Sequence, residues 1–394
     1  MTAAGPRLDS GRSWLMATAA AVSMFTVFGV GYSFGAFFES ITTEFDTGNG
    51  ATAFVFGITI SLSFLLGPFT GALADRVGPK PVAVLAAFSL AFGLLGTTVV
   101  PNIWLAYICY GLFVGFAIAC GYVPMVAVVG GWFERQRALA LGASVAGIGL
   151  GTMVASPVAA ALIEATSWRT AFVIFAVVGG GSLLAVAAVI TPGPASVPAP
   201  KRQPITELWK LHDFRILYLA LLATSFGLFI PFVFITPYAE DQSHSSFAAA
   251  LLVGLIGGAS VVGRLAIGGI ANRYGAARLF RICFLVMSMS QLIWLFAGGG
   301  YPLLLVFALI FGSGYGGFIA LSPVVAASRF GMKGLGGILG TWYSAAAFGS
   351  LGGPPFAGWL IDTFDYPVAI VFCSFAAVVG WAILLRLDEG IKKA

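Results

Sequence analysis

Among the 20 basic and 15 acidic side chains of this sequence, Arg264 alone lies well inside a long apolar run, about seven residues from one end of it. A guanidinium stays charged at any pH a protein meets and presents a planar fork of N–H groups that matches a carboxylate. Setting it in a hydrocarbon layer costs about 2.5–3.5 kcal/mol on insertion scales, so such a residue is a functional candidate by default. On a helix, Gly257, Ser260 and Gly268 share its face at i−7, i−4 and i+4, small neighbours that leave room beside the charge. No apolar run supplies a carboxylate to neutralise it. The chemistry this favours is capture of an organic anion, with Ser260 beside it; the alternative is an Arg whose stem snorkels until the charge reaches water.

Tyr32, Tyr122, Tyr315 and Tyr343 fall near the middle of other apolar runs, each among small or glycine neighbours. A phenol can donate one hydrogen bond to a carboxylate while its ring closes a cavity, and the same residue serves equally well as packing. Catalysis at this depth would need a nucleophile with its base, paired carboxylates or metal ligands. The apolar runs contain none, and His212 and His244 lie in loops. No GxxxxGK[ST] loop is present to drive a pump with ATP. Cys109, Cys120, Cys283 and Cys373 are scattered, with no CxxC pair, and read as small core residues. An enzyme is therefore not expected, nor a cofactor or metal.

What must position these groups follows from composition. The chain has 394 residues, 59% apolar and 9% charged, with a mean hydropathy of +0.98. A soluble domain carries about 25% charged residues, so a globular protein in water is excluded. Apolar runs near 14–38, 51–74, 80–100, 104–131, 138–163 and 169–191, then 214–238, 247–271, 277–297, 301–327, 335–361 and 367–387, are each long enough to cross a bilayer as a helix. An all-α membrane protein with twelve transmembrane helices is expected. Proline-rich chain within 192–213 forms the one linker. Pro68, Pro124, Pro157, Pro231, Pro237, Pro323, Pro354 and Pro355 are expected to break the helices that contain them.

Apart from Arg169 and Arg264, every basic residue falls on one side of this layout, in the even-numbered loops, the linker and the two tails. The other side holds Glu39, Glu44, Asp46, Glu164, Glu240, Asp241, Asp362 and Asp365. Basic loops stay in the cytoplasm, which places both termini and the linker there, in the inner or plasma membrane of a cell. The net charge of +5 thus reflects topology, and nucleic acid is not an expected partner. The first 13 residues are polar and lead straight into a long span, unlike a cleaved signal peptide.

The sequence also repeats itself with a period near 197 residues. GPFTGALADRVG at 67–78 aligns with GRLAIGGIANRYG at 263–275, bringing Asp75 onto Asn272, Arg76 onto Arg273 and Gly78 onto Gly275. FGVGYSFGAFFESI at 28–41 faces FGLFIPFVFITPYA at 226–239. This divides the chain into an N-terminal six-helix bundle, 1–191, a cytoplasmic linker, 192–213, and a C-terminal six-helix bundle, 214–394, related by a pseudo-two-fold axis.

On these residues the chain resembles the major facilitator superfamily over its whole length. Gly71, Leu73, Asp75, Arg76, Gly78 and Lys80 match the G-x-L-x-D-R-x-G-x-K pattern between helices 2 and 3, which implies a brace for the cytoplasmic gate, extended by Arg273 in the repeat. A second stretch, with Trp132, Phe133, Arg135 and Arg137, is similar to the segment leading into helix 5 of monocarboxylate transporters and oxalate:formate antiporters. The resemblance implies that Arg264 holds a substrate carboxylate, that Tyr32, Tyr122 and Tyr315 line the cavity, and that protons are the coupling partner. Oxalate carriers of this kind have a second cation in a Tyr-x-Ala-Lys pattern, where this chain has Tyr343-Ser344-Ala345-Ala346. The expected activity is secondary transport of short monocarboxylates such as lactate or pyruvate by proton symport, the proton riding with the substrate or on Glu39 or Glu164. Organic-anion exchange of the oxalate:formate type is the alternative, and drug export a weaker one.

An epitope tag at either terminus should be reachable by antibody only after cells are permeabilised; labelling of intact cells would reverse the assigned orientation.

Overall fold

The computed structural model describes residues 8–194, 205–331 and 335–387, the side chains of Ile205 and Asn272 excepted. Arg7, Lys201, Arg202, Lys333, Lys392 and Lys393, and part of the linker, lie outside the described residues. Twelve long helices follow one another: α1 Gly11–Phe45, α2 Asn49–Val77, α3 Pro79–Thr97, α4 Ile103–Trp132, α5 Arg137–Ala165 and α6 Trp168–Val189. After a short helix at Ile205–Lys210 come α7 His212–Asp241, α8 Ser246–Tyr274, α9 Ala276–Leu295, α10 Tyr301–Phe330, α11 Leu335–Thr363 and α12 Tyr366–Leu384. Eleven of them are both long and apolar enough to cross a membrane among the described residues. The exception is α11, whose 29 residues include the Gly-, Ser- and Thr-rich stretch GILGTWYSAAAFGSLGG. Large side chains such as Phe88, Val177 and Phe375 are exposed on the outer surface, which suits contact with lipid rather than water.

Packing follows the repeat. In the first six helices α1 lies on α5, α2 on α4 and α3 on α6; in the last six, α7 lies on α11, α8 on α10 and α9 on α12. Between the two groups α2 lies along α11 and α5 along α8, contacts that exchange under the same two-fold relation. The aligned glycines have one local reason: Gly78 (φ +88°) and Gly275 (φ +85°) both close a helix and start the next in left-handed backbone, a conformation glycine adopts without strain.

The helix breaks differ from the expectation built on proline. Pro68, Pro124, Pro157, Pro237, Pro323, Pro354 and Pro355 all sit inside continuous helices. Neighbouring helices and side chains re-satisfy the backbone that proline disturbs. The two real interruptions are at Ser33 in α1 and Phe229 in α7, equivalent places in the repeat, and only the second has a proline close by, Pro231. At the first, the carbonyl of Val30 accepts from the Ser33 hydroxyl at 2.9 Å and from the Tyr110 hydroxyl at 3.1 Å, so the loosened turn keeps its hydrogen bonds in an apolar setting.

One tie fixes the start of α5. The Asp9 carboxylate accepts from the backbone N–H groups of Glu134, Arg135 and Gln136 at 3.1–3.4 Å, and the Asp9 N–H donates to the Trp132 carbonyl at 3.2 Å. Desolvation on docking opposes ionisation, but the N–H groups of Arg135, Gln136 and Glu134 and the Arg135 charge together outweigh it and hold the Asp9 carboxyl below the usual range. A depressed carboxyl contributes stability above its unfolded pKa and loses it as pH falls through the folded value. Asp9→Ala should therefore speed amide exchange at 134–136 near neutral pH. The difference from the parent should shrink as the parent's own carboxyl is protonated in acid; an exchange pattern unchanged at neutral pH would remove Asp9 from this role.

Candidate functional site

The site begins where α5 and α8 meet. A Cβ on Gly257 would lie 2.6 Å from the Gly149 carbonyl and 2.9 Å from the Met153 amide, so the absence of side chains lets the two backbones touch. Two turns further along α8, Arg264 crosses to α5. Its Nη1 donates to the Val145 carbonyl at 2.5 Å, and the residue is 7% exposed. The helix extends to Tyr274, so Arg264 sits ten residues from its end, about one turn deeper than the apolar pattern alone placed it. It does not snorkel.

Two nitrogens of the guanidinium remain. Nε and Nη2 are buried and have no hydrogen-bond partner among the described residues. They point from one edge of the planar group, the pair that holds both oxygens of a carboxylate side-on. The phenols of Tyr315, Tyr122 and Tyr32 lie within electrostatic range of this charge. The Tyr32 and Tyr315 hydroxyls bond each other at 3.0 Å. Tyr32 stacks on Phe232 with ring centres 4.6 Å apart, and Phe28 links Tyr32 to Tyr122 at 5.7 and 5.5 Å.

The other expected contacts are placed differently. The Ser260 hydroxyl donates to the Gly257 carbonyl at 2.7 Å and lies against Gly149, inside the α5–α8 contact. It is a packing group in this conformation. Tyr343 interacts with Tyr122 and Tyr315 but is not among the phenols acting on Arg264, and its ring leans on Phe64 and Trp342.

The two groups of helices close against each other on the acidic side. Asp362 of α11 accepts from the Asn49 and Gly50 amides and the Asn49 side chain, at 2.7–3.2 Å, and so caps α2 across the seam. Ser156 donates to the Ala250 carbonyl at 3.0 Å between α5 and α8, and Phe38 meets Phe234 at 5.1 Å between α1 and α7. Outside this seal lies a cleft of about 620 Å³ with Glu39 and Glu164 on one flank and Glu240, Asp241 and His244 on the other. These acids are thus separated from Arg264 by the closed seam.

On the basic side the expected brace is unformed. Asp75, Arg76 and Lys80 are exposed, and no ion pair or hydrogen bond engages the side chains of Asp75 or Arg76 among the described residues. Arg273 is exposed and lies over the Tyr274 ring at 5.4 Å. Gly71 makes close contact with Val123 of α4, the helix approach its size allows. Arg135 is held through its backbone by Asp9, and the Arg137 Nε turns back to the Phe133 carbonyl at 2.8 Å. Trp132 and Phe133 anchor this loop instead: the indole donates to the Thr191 carbonyl at 3.0 Å, and Phe133 meets Trp14 at 5.2 Å. No signal in the sequence pointed to Asp9, Val145 or Asp362, since a polar tail and a backbone carbonyl carry no distinctive residue type. Among the described residues no cluster of three or more His, Cys, Asp or Glu could hold a metal ion.

Twelve helices in two equivalent groups, closed on one face around a buried cation, have the architecture of a membrane transporter. A sequence model of the Major Facilitator Superfamily matches residues 19–300 and 259–394, and the chain belongs to that family. It is 27% identical to monocarboxylate transporter 12 of Rattus norvegicus, across 98% of this chain and 87% of the relative. Monocarboxylate transporter 3 of the same species is 28% identical (96% and 81% covered), and human monocarboxylate transporter 11 is 26% identical (98% and 85%). A crystal structure of the nucleoside transporter NupG shares the fold with a TM-score of 0.77 at 14% identity, covering 95% of this chain and all of that one.

Gly257→Ala should push α5 and α8 apart, because the added carbon meets backbone on α5. Spin labels at Glu164→Cys and Phe247→Cys should report a longer and broader distance distribution in that variant, and an unaltered distribution would show that the contact has slack.

Proposed function

We propose that this transporter carries small monocarboxylates of the lactate or pyruvate type, bound through the Nε–Nη2 edge of Arg264. The observation that carries the reading is the pair of buried, unfilled donors on one edge of that guanidinium. A carboxylate supplies two acceptors in the matching plane and the compensating charge. The chain's likeness to monocarboxylate transporters supports the same substrate class. A dicarboxylate would bring a second charge with no cation to meet it, since the corresponding position in α11 is the buried, uncharged Ala346, and an unpaired buried charge is costly. Tyr122 and Tyr315 contribute hydroxyls to the bound carboxylate. Tyr32 serves the same pocket, with Ser260 and Tyr343 becoming available only when the helices shift.

Transport proceeds by rocking of the halves 1–191 and 214–394, joined by the linker 192–213, in a cell membrane with both termini cytoplasmic. Gly71, Asp75, Arg76, Gly78, Lys80, Arg135, Arg137 and Arg273 brace the cytoplasmic side when it shuts. Proton symport is the coupling, the proton riding with the substrate or on Glu39 or Glu164 in the acidic cleft. Anion exchange is a second reading, favoured by the absence of any carboxylate partner for Arg264 among the described residues.

In proteoliposomes, labelled lactate should accumulate under an inward proton gradient. Counterflow that ignores collapse of the gradient would select exchange. Arg264→Ala should abolish saturable uptake without altering the chromatographic profile, and Arg264→Lys should weaken it strongly because the fork is lost. Tyr122→Phe should cost about 0.5–3 kcal/mol in apparent affinity. Near-normal uptake by Arg264→Ala would falsify the site.

A further inference from the structure

The Tyr32–Tyr315 pair is the one direct hydroxyl-to-hydroxyl bond described between the first six helices and the last six at the depth of the site, with an O–O distance of 3.0 Å. Both rings are buried, at 2% and 6% exposure. Tyr32 is the last residue of the first segment of α1, immediately before the break at Ser33. The bond therefore fastens a hinge in one half to the middle of α10 in the other. We infer that this pair is a clasp released by substrate: a carboxylate docking on Arg264 draws the phenols off each other and frees the acidic-side seam. The inference rests on the carboxylate reading for its trigger and on the bond itself for its mechanical part.

Donor counting gives the direction. Each phenol has one O–H, and in a mutual pair only one of the two is used as the link. The hydroxyl that accepts thus keeps a spare proton, beside a guanidinium whose Nε and Nη2 have no partner. A carboxylate offers about four lone-pair sites and satisfies these donors together. A phenol bond to a charged oxygen is roughly twice as strong as one to another neutral hydroxyl, so the anion outcompetes the cross-half partner. Once the hydroxyls part, what holds Tyr32 to the last six helices is stacking on Phe232 at 4.6 Å and the contact of Phe232 with Tyr315 at 5.5 Å. Stacking tolerates sliding where a hydrogen bond does not. The outer segment Phe34–Phe45, which flanks the cleft through Ala36, Glu39 and Ser40, is then held to the last six helices by packing, such as Phe38 on Phe234 and Gly35 on Phe232, and swings about Ser33 as that packing parts.

The test is a reporter cysteine at Ser40, in a Cys109→Ala background, because the three other cysteines are buried. Reconstituted protein is labelled by a membrane-impermeant maleimide from the acidic side, with and without saturating lactate. In the parent, lactate should raise the labelling rate. Without lactate, Tyr315→Phe and Tyr32→Phe should each label about two- to tenfold faster than the parent, the shift that loss of one hydrogen bond of ordinary net strength supports, and lactate should add little. Using both variants separates the clasp from a folding defect in either, which gel filtration and the thermal midpoint would reveal. Unchanged substrate-free labelling in both well-folded variants overturns the clasp. Fast substrate-free labelling in the variants, with no lactate effect in the parent, keeps the clasp and overturns the carboxylate trigger.

Discussion

A buried guanidinium with part of its hydrogen-bonding capacity unused is the constraint on which the other features depend. One nitrogen is engaged by the Val145 carbonyl of the opposite half, and the other two are not. An ion held away from water needs compensation by charge or by dipoles, and here the nearby groups are phenols rather than carboxylates. The free edge of the guanidinium is therefore the one suited to a carboxylate. Under the proposed function the partner of that edge is negative, planar and able to accept two parallel hydrogen bonds.

The two groups of helices are joined by contacts of unlike character. On the acidic side, the Ser156 hydroxyl donates to the Ala250 carbonyl between α5 and α8, and Asp362 caps α2. These contacts are short-ranged and lost together when the surfaces part. Around Arg264, the links are one hydrogen bond to a carbonyl, one between phenols and stacked rings. Such links can be re-formed with new partners as the halves tilt. A rocking carrier needs both kinds, a face that opens as a unit and a centre that stays in contact with its cargo throughout.

The fold was legible because hydropathy reports the spans and the internal repeat reports how they pair. Arg264 was legible because a charge within an apolar run is rare, and Tyr32, Tyr122 and Tyr315 because polar groups there stand out. What escaped has physical causes. The partner of Nη1 is the Val145 main chain, and every residue has a carbonyl. Proline pointed to breaks that tertiary contacts repair, while the break at Ser33 has no proline at all and depends on Tyr110 from α4. Ser260 shares a face with Arg264, but that face packs on Gly149, and its hydroxyl turns to its own helix. The side chains of Asp75 and Arg76 make no ion pair among the described residues, and the bracing role proposed for them needs a state with the basic side shut, which a pattern of residue types can encode but a single structure need not display.

The unfilled edge of Arg264 also bears on how flux is coupled. To move net substrate, a carrier must cross between its two open states both loaded and empty. On the proposed carboxylate reading, the cargo of the loaded passage travels with the guanidinium and neutralises it, so the closed intermediate contains no uncompensated charge. In the empty passage, closing the site withdraws the water that can serve Nε and Nη2, and the charge must be met by oxygen lone pairs of the protein. Val145 is already engaged. The phenol oxygens of Tyr32, Tyr122 and Tyr315 are what remains within range, and while two of them hold each other they serve the cation less well. Under the proposed function, the balance between exchange and net transport thus lies with these tyrosines: the more firmly their hydroxyls pair, the higher the barrier to empty return, and the more the carrier behaves as an exchanger.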